Sequence, residues 1–415
     1  MKEDNIERKT CLVTGGIDLS TNCRKASGPV YMDNSSTTKP FPEVVEAMSS
    51  VYEERFGNPS SLHRLGSESE KLVRKARRSV ASLIGAGENE VFFTSGGTEA
   101  NNWAIFGSLR SAGSKFKHVV TSSVEHPSVM AAMEYLKELG YRVSVVPVDR
   151  EGLVNPGEVV SRVKEDTCLV SIMFVQNEIG SVEPCREIGS MLSRMGPKRP
   201  RFHVDAVQGF AKLDIDVEKW GVDLLSISSH KIHGPKGIGA LYIRKGVPMH
   251  PLIFGGGQEQ GLRSGTENVP AIVGFGLACD IWARNTYKTR DRLFELRHRL
   301  IDGIAGIFAD AVLNGPEHEN AAPHIVNCSF PGFRGESLLH ALEKRNVFVS
   351  TGSACSSHRT KPSAVILALG KGEDEALSAI RFSMSPFTTV EDVDSTVSAL
   401  EDALKELRPW RQKTT

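Results

Sequence analysis

Lys231 stands in Ser226-Ile-Ser-Ser-His-Lys-Ile-His-Gly-Pro-Lys-Gly-Ile-Gly239, between the apolar runs Val222-Asp-Leu-Leu-Ser-Ile227 and Ala240-Leu-Tyr-Ile243. Both runs read as buried strands, which is a poor place for a charge whose task is to solubilise a surface. Ser228, Ser229 and His230 precede the lysine, and a Gly- and Pro-rich segment follows, so the backbone can pack closely on a flat or anionic ligand. A lysine in that setting can form an imine with a carbonyl compound. A surface lysine in a glycine-rich turn is the plainer reading of this stretch alone.

Ligands of open α/β sheets gather at the carboxyl ends of the strands, so the residues that follow each strand candidate are read together. Thr94-Ser-Gly-Gly-Thr-Glu99 enters a helix and would offer the N–H groups of Gly97 and Thr98 to a phosphate. Val124-Glu-His-Pro127 offers the imidazole of His126, and Val175-Gln-Asn-Glu-Ile-Gly180 places Asn177 at the end of an apolar strand. Asp205-Ala-Val-Gln208 puts a carboxylate where burial is costly without a cation. A protonated pyridine nitrogen is such a cation, and an aspartate opposite it makes pyridoxal phosphate an electron sink. Singly these are an N-cap, a structural histidine and a salt-bridged acid. Together, anion cradle, imidazole, aspartate and lysine point to pyridoxal phosphate chemistry.

A nucleophile stands further on. Ser350-Thr-Gly-Ser-Ala-Cys-Ser-Ser-His-Arg-Thr-Lys361 is small and polar, lying between a strand candidate that ends at Val349 and a helix that starts near Pro362. It exposes Cys355, whose neighbours His358, Arg359 and Lys361 favour the thiolate. Cys168 and Cys279 sit inside apolar runs and read as core. The seven cysteines are odd in number, scattered and without a C-x-x-C pair, so neither a disulfide framework nor a metal site is expected.

These residues need a large scaffold. The chain has 415 residues, 40% hydrophobic and 24% charged, enough for a large domain and a smaller one. Fifty acidic and fifty basic residues cancel, which argues against nucleic-acid or anionic-membrane attraction. No apolar run reaches the ~20 residues of a membrane span, and Met1 to Arg8 resemble neither a signal nor a transit peptide, so a cytoplasmic protein is expected. Residues 1–28, with Cys11 and Cys23, read as a flexible arm. Residues 29–285 read as the large domain, its first residues packing with the small one, and 286–415 as the small domain carrying the Cys355 loop.

Strands are expected at Val91–Thr94, His118–Thr121, Arg142–Pro147, Cys168–Phe174, Phe202–Asp205, Leu224–Ile227 and Ala240–Ile243, with helices near 98–112, 127–139, 156–165 and 184–194 between them. That alternation predicts an α/β fold with a mostly parallel seven-stranded sheet. A helical stretch from Pro270 toward Phe308, broken near Asn285, leads to a smaller α+β unit with strands near 324–330 and 346–350 and helices near 335–345, 373–380 and 391–407.

The motifs Thr94-Ser-Gly-Gly-Thr-Glu-Ala-Asn-Asn102, Glu125-His126, Gln176-Asn-Glu-Ile-Gly180, Asp205-Ala-Val-Gln208, Ser229-His-Lys231 and Arg263-Ser-Gly-Thr-Glu-Asn-Val269 occur in that order. From about Tyr31 to Glu406 the chain resembles the class V, fold-type I pyridoxal phosphate enzymes and, within them, the cysteine desulfurases of the NifS/IscS type. The resemblance implies that Lys231 holds the cofactor covalently and that His126 stacks on its ring and assists proton transfer. It implies Asp205 at the ring nitrogen, Gln208 at the phenolic oxygen, and Gly97, Thr98, Ser228 and His230 at the phosphate, with Thr266 supplied by the second subunit of a homodimer. Asn177 would contact the cofactor and, with Arg381 of Ile380-Arg-Phe-Ser383, the substrate carboxylate.

Thr351-Gly-Ser-Ala-Cys355 matches the family's Ser-Gly-Ser-Ala-Cys. In that family the cysteine takes sulfur from L-cysteine as a persulfide and leaves alanine. The implied recipients are a sulfur acceptor or iron–sulfur scaffold protein, for cluster assembly or tRNA thiolation, and Cys355 could also ligate a transferred cluster. Met384-Ser-Pro-Phe387 departs from the family, which usually has Gly-Arg before the Phe. A selenocysteine lyase or other β-lyase, indifferent to Cys355, is the competing enzyme reading; a non-catalytic scaffold with structural cofactor is the other.

Overall fold

The computed structural model describes residues 28–351 and 362–411. Cys11, Cys23 and Cys355 lie outside the described residues, as does nearly all of the expected N-terminal arm. The chain opens on a short strand, β1 (Val30–Tyr31), followed by the amphipathic helices α1 (Pro42–Glu54) and α2 (Arg64–Ser82). Then β2 (Val91–Thr94), α3 (Gly97–Ala112), β3 (His118–Ser122), α4 (Pro127–Glu138), β4 (Arg142–Val146), α5 (Pro156–Ser161), β5 (Thr167–Met173), α6 (Cys185–Ser193) and β6 (Arg201–Asp205) alternate. The pair β7 (Leu224–Ser228) and β8 (Gly239–Ile243) closes the series.

These strands form one seven-stranded sheet in the order β2-β8-β7-β6-β5-β3-β4. It is parallel from β7 through β4, and β8 runs antiparallel to both β7 and β2. All seven residues of β5 are buried, as helices on both faces require. Side chains alternate between two cores: Leu169 and Leu224 pack under α3 and α4 with Trp103, while Val170 and Leu225 face α6 and the helices at the chain's start. The antiparallel return from β7 to β8 has a direct consequence for function. It turns the chain sharply at the carboxyl end of β7, and Lys231 sits in that turn.

A single helix, α7 (Val269–Ile307), leaves the sheet and runs 39 residues, about 58 Å at 1.5 Å per residue. The expected break near Asn285 does not occur. Asn285 Nδ2 donates to the Ile281 carbonyl at 3.0 Å and Thr286 Oγ1 to the Trp282 carbonyl at 2.7 Å, so these polar side chains bond along the helix instead of interrupting it. The first half of α7 packs in the large core through Phe275 and Trp282, the second in another core through Leu293, Leu296, Leu300 and Ile304.

That second core also holds β9 (Val312–Leu313), β10 (Ile325–Ser329), α8 (Gly335–Glu343), β11 (Val347–Phe348), β12 (Ala379–Ser383) and α11 (Val390–Leu407), whereas the short helices α9 (Ala364–Ala368) and α10 (Glu373–Leu377) pack in a smaller cluster with Val124, Met173 and Ile179. Strands β12-β10-β9 form an antiparallel sheet, and β1 pairs in parallel with β11. The expected helix to residue 380 stops at Leu377; Ala379–Ser383 is instead a fully buried edge strand paired with β10. This pairing is what brings Arg381 to the large sheet's carboxyl edge.

Candidate active site

The carboxyl ends of the strands surround a cavity of about 510 Å³. Gly97, Thr98, His126, Asn177, Asp205, Gln208, Ser228, His230, Lys231 and Arg381 all line it. The structure therefore gathers every site residue expected from the sequence except two. Thr266 is exposed in the segment leading to α7 and does not line this chain's cavity, and Cys355 lies outside the described residues.

Local geometry explains each placement. Gly97 opens α3 against Val207, whose Cγ2 would lie 2.8 Å from an added Cβ, so only glycine lets the helix N-terminus approach. The loop after β1 folds over the site: Lys231 Nζ donates to the carbonyls of Ser35 at 2.5 Å and Ser36 at 2.8 Å, and Gln208 Nε2 donates to the Ser35 carbonyl at 2.9 Å. Thr38 secures the same loop by donating its N–H and its hydroxyl to the His230 carbonyl.

Asp205, 4% exposed, is held from both oxygens. Val207 N–H donates to Oδ1 at 3.0 Å and Asn101 Nδ2 to Oδ2 at 2.7 Å. Asn101 also donates to Ser128 Oγ at 2.9 Å, which leaves the Ser128 hydroxyl hydrogen free to point at His126 Nδ1, 2.8 Å away. The Ser128 N–H donates to the same nitrogen at 3.1 Å. His126 Nδ1 is thus an acceptor, and the proton of the neutral ring sits on Nε2. Burial lowers the pKa of this imidazole, Asp205 opposes that shift and Lys231 adds to it.

Arg381 is fixed on three sides. Its Nη2 donates to Asp33 Oδ1 and to Ser36 Oγ, both at 2.7 Å, and its Nη1 to the Asn177 carbonyl at 2.9 Å. A guanidinium so held presents a flat, oriented edge suited to a carboxylate.

A model of the aminotransferase class-V family matches residues 30–396. The chain belongs to the aminotransferase class-V family. Within class V it is 44% identical over 387 residues to cysteine desulfurase IscS of Dictyoglomus turgidum, an alignment spanning 92% of this chain and 97% of the relative. Among solved structures it is similar to a NifS-like protein, with a TM-score of 0.85, 38% identity, and 91% and 100% of the two chains covered. It is also similar to SspA in complex with cysteine, with a TM-score of 0.76, 33% identity, and 86% and 99% covered. These relatives place this class-V chain in the cysteine desulfurase group.

The cavity sets the carboxylates of Asp33 and Asp205 beside the cations Lys231 and Arg381, with neutral polar groups between them. Burial, reinforced by Lys231, Lys236 and Lys212, pushes the His230 pKa down to about 3, so its ring is uncharged. Burial pushes the Glu125 carboxyl up to about 8. Its Oε1 accepts from the Ser122 hydroxyl at 2.6 Å and from Met173 N–H at 3.0 Å, tying the end of β3 to the end of β5 immediately before His126. Arg263 donates twice to Glu99, at 2.9 and 3.2 Å, and so docks the Thr266 segment beside the start of α3. Cys168 and Cys279 are buried, and burial pushes the Cys168 thiol up to about 11 and the Cys279 thiol well above its ordinary value.

Sequence reasoning missed Asn101 and Asp33. Asn101 had a signal: it lies one helical turn past Thr98, so it falls on the same side of α3 as that candidate residue. Asp33 had none, because its partner Arg381 comes from the far end of the chain.

Proposed function

We propose that this class-V chain is a pyridoxal-phosphate-dependent cysteine desulfurase that moves sulfur from L-cysteine to Cys355 and leaves L-alanine. The residues present fit that cofactor. Six buried polar atoms without a partner among the described residues belong to the cavity lining: Ser35 Oγ, Asn101 Oδ1, Asn177 Oδ1, Gln208 Oε1, Ser228 Oγ and Arg381 Nε. Unpaired buried polar groups cost about 1–3 kcal/mol each, so a cluster of them argues for a polar ligand. The observation that carries the reading is Asp205, a buried carboxylate locked by Asn101 and Val207 and aimed into the same cavity as Lys231.

Gly97, Thr98, Ser228 and His230 would hold the phosphate, Asp205 the ring nitrogen, Gln208 the phenolic oxygen and Lys231 the aldehyde carbon. Pyridoxal phosphate, when bound, supplies an electron sink for charge released at the substrate's α-carbon. Arg381 and Asn177 orient the substrate carboxylate. His126 covers the ring, and the uncharged amine of Lys231 takes the α-proton. The thiolate of Cys355 then forms an S–S bond to the substrate sulfur as the substrate's C–S bond breaks, and the carbon ends with a proton as alanine.

The exposed Thr266, docked through Arg263 and Glu99, is offered to the phosphate site of a second subunit in a homodimer. The persulfide's destination is an acceptor or iron–sulfur scaffold protein, for cluster assembly or tRNA thiolation, and the proposal is of a cytoplasmic enzyme. No helix of the described residues is long and apolar enough to cross a membrane. Incubation of the holoenzyme with L-cysteine should add the mass of one sulfur to the peptide containing Cys355, and C355A should stop alanine formation while keeping bound cofactor. Undiminished alanine formation by C355A would overturn the assignment and favour a β-lyase.

A further inference from the structure

A second, small cavity of about 10 Å³ borders Lys231 on a different set of walls. That is close to the space one water needs. Lys231 is the residue that lines both this chamber and the large cavity. The chamber's other polar walls include Lys212, His324, His233 and Thr38.

Two of these groups are hard to explain as packing. Lys212 is 6% exposed, and its Nζ donates to the Gln208 carbonyl at 3.1 Å. A lysine that merely lends its stem to a core sends its head to solvent, and this one does not. The charge acting on Lys212 is a like one, that of Lys231. His324 is 1% exposed, and neither ring nitrogen has a hydrogen-bond partner among the described residues. A water between them would have the two or more polar partners that buried water requires.

We propose that Lys212 is a positioning residue for Lys231: across a water seated with His324, the two amines share a single proton, and Lys231 is uncharged when Lys212 holds it. The transfer is balanced. An N–H bond of the Lys231 ammonium breaks, the water accepts that proton and gives another to Lys212 Nζ, and the net charge of the pair is unchanged. Burial pushes the Lys212 pKa down to about 7 and Lys231 adds to the shift, which is the mutual exclusion expected of two amines close together in a buried site. The groups facing the pair are His324 and His233 in the chamber, His230 and His126 on the cavity side, and Asp205, Asp33 and Arg381 beyond them. Burial and nearby cations lower His324, His233 and His230, so these rings are neutral and do not compete for the proton.

The inference rests on the reading of Lys231 as the reactive amine, and it is tested without turnover. Cyanate carbamylates only uncharged amines, so the rate at which Lys231 of the apoprotein reacts, read by peptide mass spectrometry against pH, reports its proton. In the natural protein Lys231 should titrate in two separated steps. In K212M the curve should collapse to one step about one pH unit higher, which makes the natural protein about tenfold more reactive near pH 8. K212R, permanently charged, should keep the low midpoint but show one step. Superimposable curves for the natural protein and K212M overturn the proposal. So does a single one-proton step near the ordinary lysine value of about 10.4 in the natural protein, a result that needs no variant. Loss of desulfurase activity alone bears on the proposed reaction and leaves this measurement standing.

Discussion

Replacing Asn101 should weaken cofactor binding although Asn101 was assigned no contact with the cofactor from the sequence. Its Nδ2 donates to Asp205 Oδ2 at 2.7 Å and to Ser128 Oγ at 2.9 Å, from a site 1% exposed. A hydrogen bond to a charged group contributes about 1.5–3 kcal/mol. N101A removes that bond, leaves Asp205 held by Val207 N–H alone, and frees the Ser128 hydroxyl to turn away from His126. If the loss of Asp205's orientation is felt at the ring nitrogen, about 1.4–2.8 kcal/mol of it should appear in binding, a 10- to 100-fold weaker Kd. N101D should be worse and pH-dependent, because two adjacent carboxylates share a proton and the nitrogen's partner is partly neutralised. The assay is an absorbance titration of dialysed apoprotein with pyridoxal phosphate at several pH values. A Kd for N101A within twofold of the natural protein would refute the reasoning, since Asp205 would then be oriented without Asn101.

Two further outcomes follow from the same geometry. R381K keeps the charge but cannot span Asp33, Ser36 and the Asn177 carbonyl at once, so KM for L-cysteine should rise about 100-fold with a much smaller change in kcat, measured in steady state; an unchanged KM would remove Arg381 from carboxylate recognition. Glu125 is raised by burial from 4.5 to about 8. The folded chain therefore keeps a proton that the unfolded chain releases near 4.5, and this group's stabilisation is full below 4.5 and lost as pH rises toward 8. Glu183, likewise raised by burial to about 8, contributes in the same direction. E125Q should flatten part of that decline, matching the natural protein near pH 5 and exceeding it at pH 8 in urea unfolding; parallel curves would contradict it.

Much of the fold was legible because buried parallel strands are short apolar runs between amphipathic helices. Val91–Thr94 was placed to the residue, and Leu224–Ile227 differs from β7 by Ser228 alone. The site was legible at the strand ends, where Gly97, His126, Asp205 and Lys231 interrupt that apolar pattern with groups that burial would otherwise penalise. What remained hidden depends on pairings between distant segments. Ala379-Ile-Arg-Phe-Ser383 reads equally well as the end of a helix until β10 is laid beside it. Asn285 looks like a helix breaker until its carboxamide is seen to bond one turn back. Lys212 and His324 are ordinary in isolation, and only the packing of β10's approach against the large core puts them around one chamber.

The length of α7 also governs how the molecule comes apart. Opening the C-terminal core would strip Leu293, Leu296, Leu300 and Ile304 of cover, at roughly 1.5–3 kcal/mol for each side chain returned to water, while the same rod stays anchored through Phe275 and Trp282. Partial melting is therefore penalised from both ends of one helix, and Arg381 and Lys231, which belong to different cores, are lost or kept together.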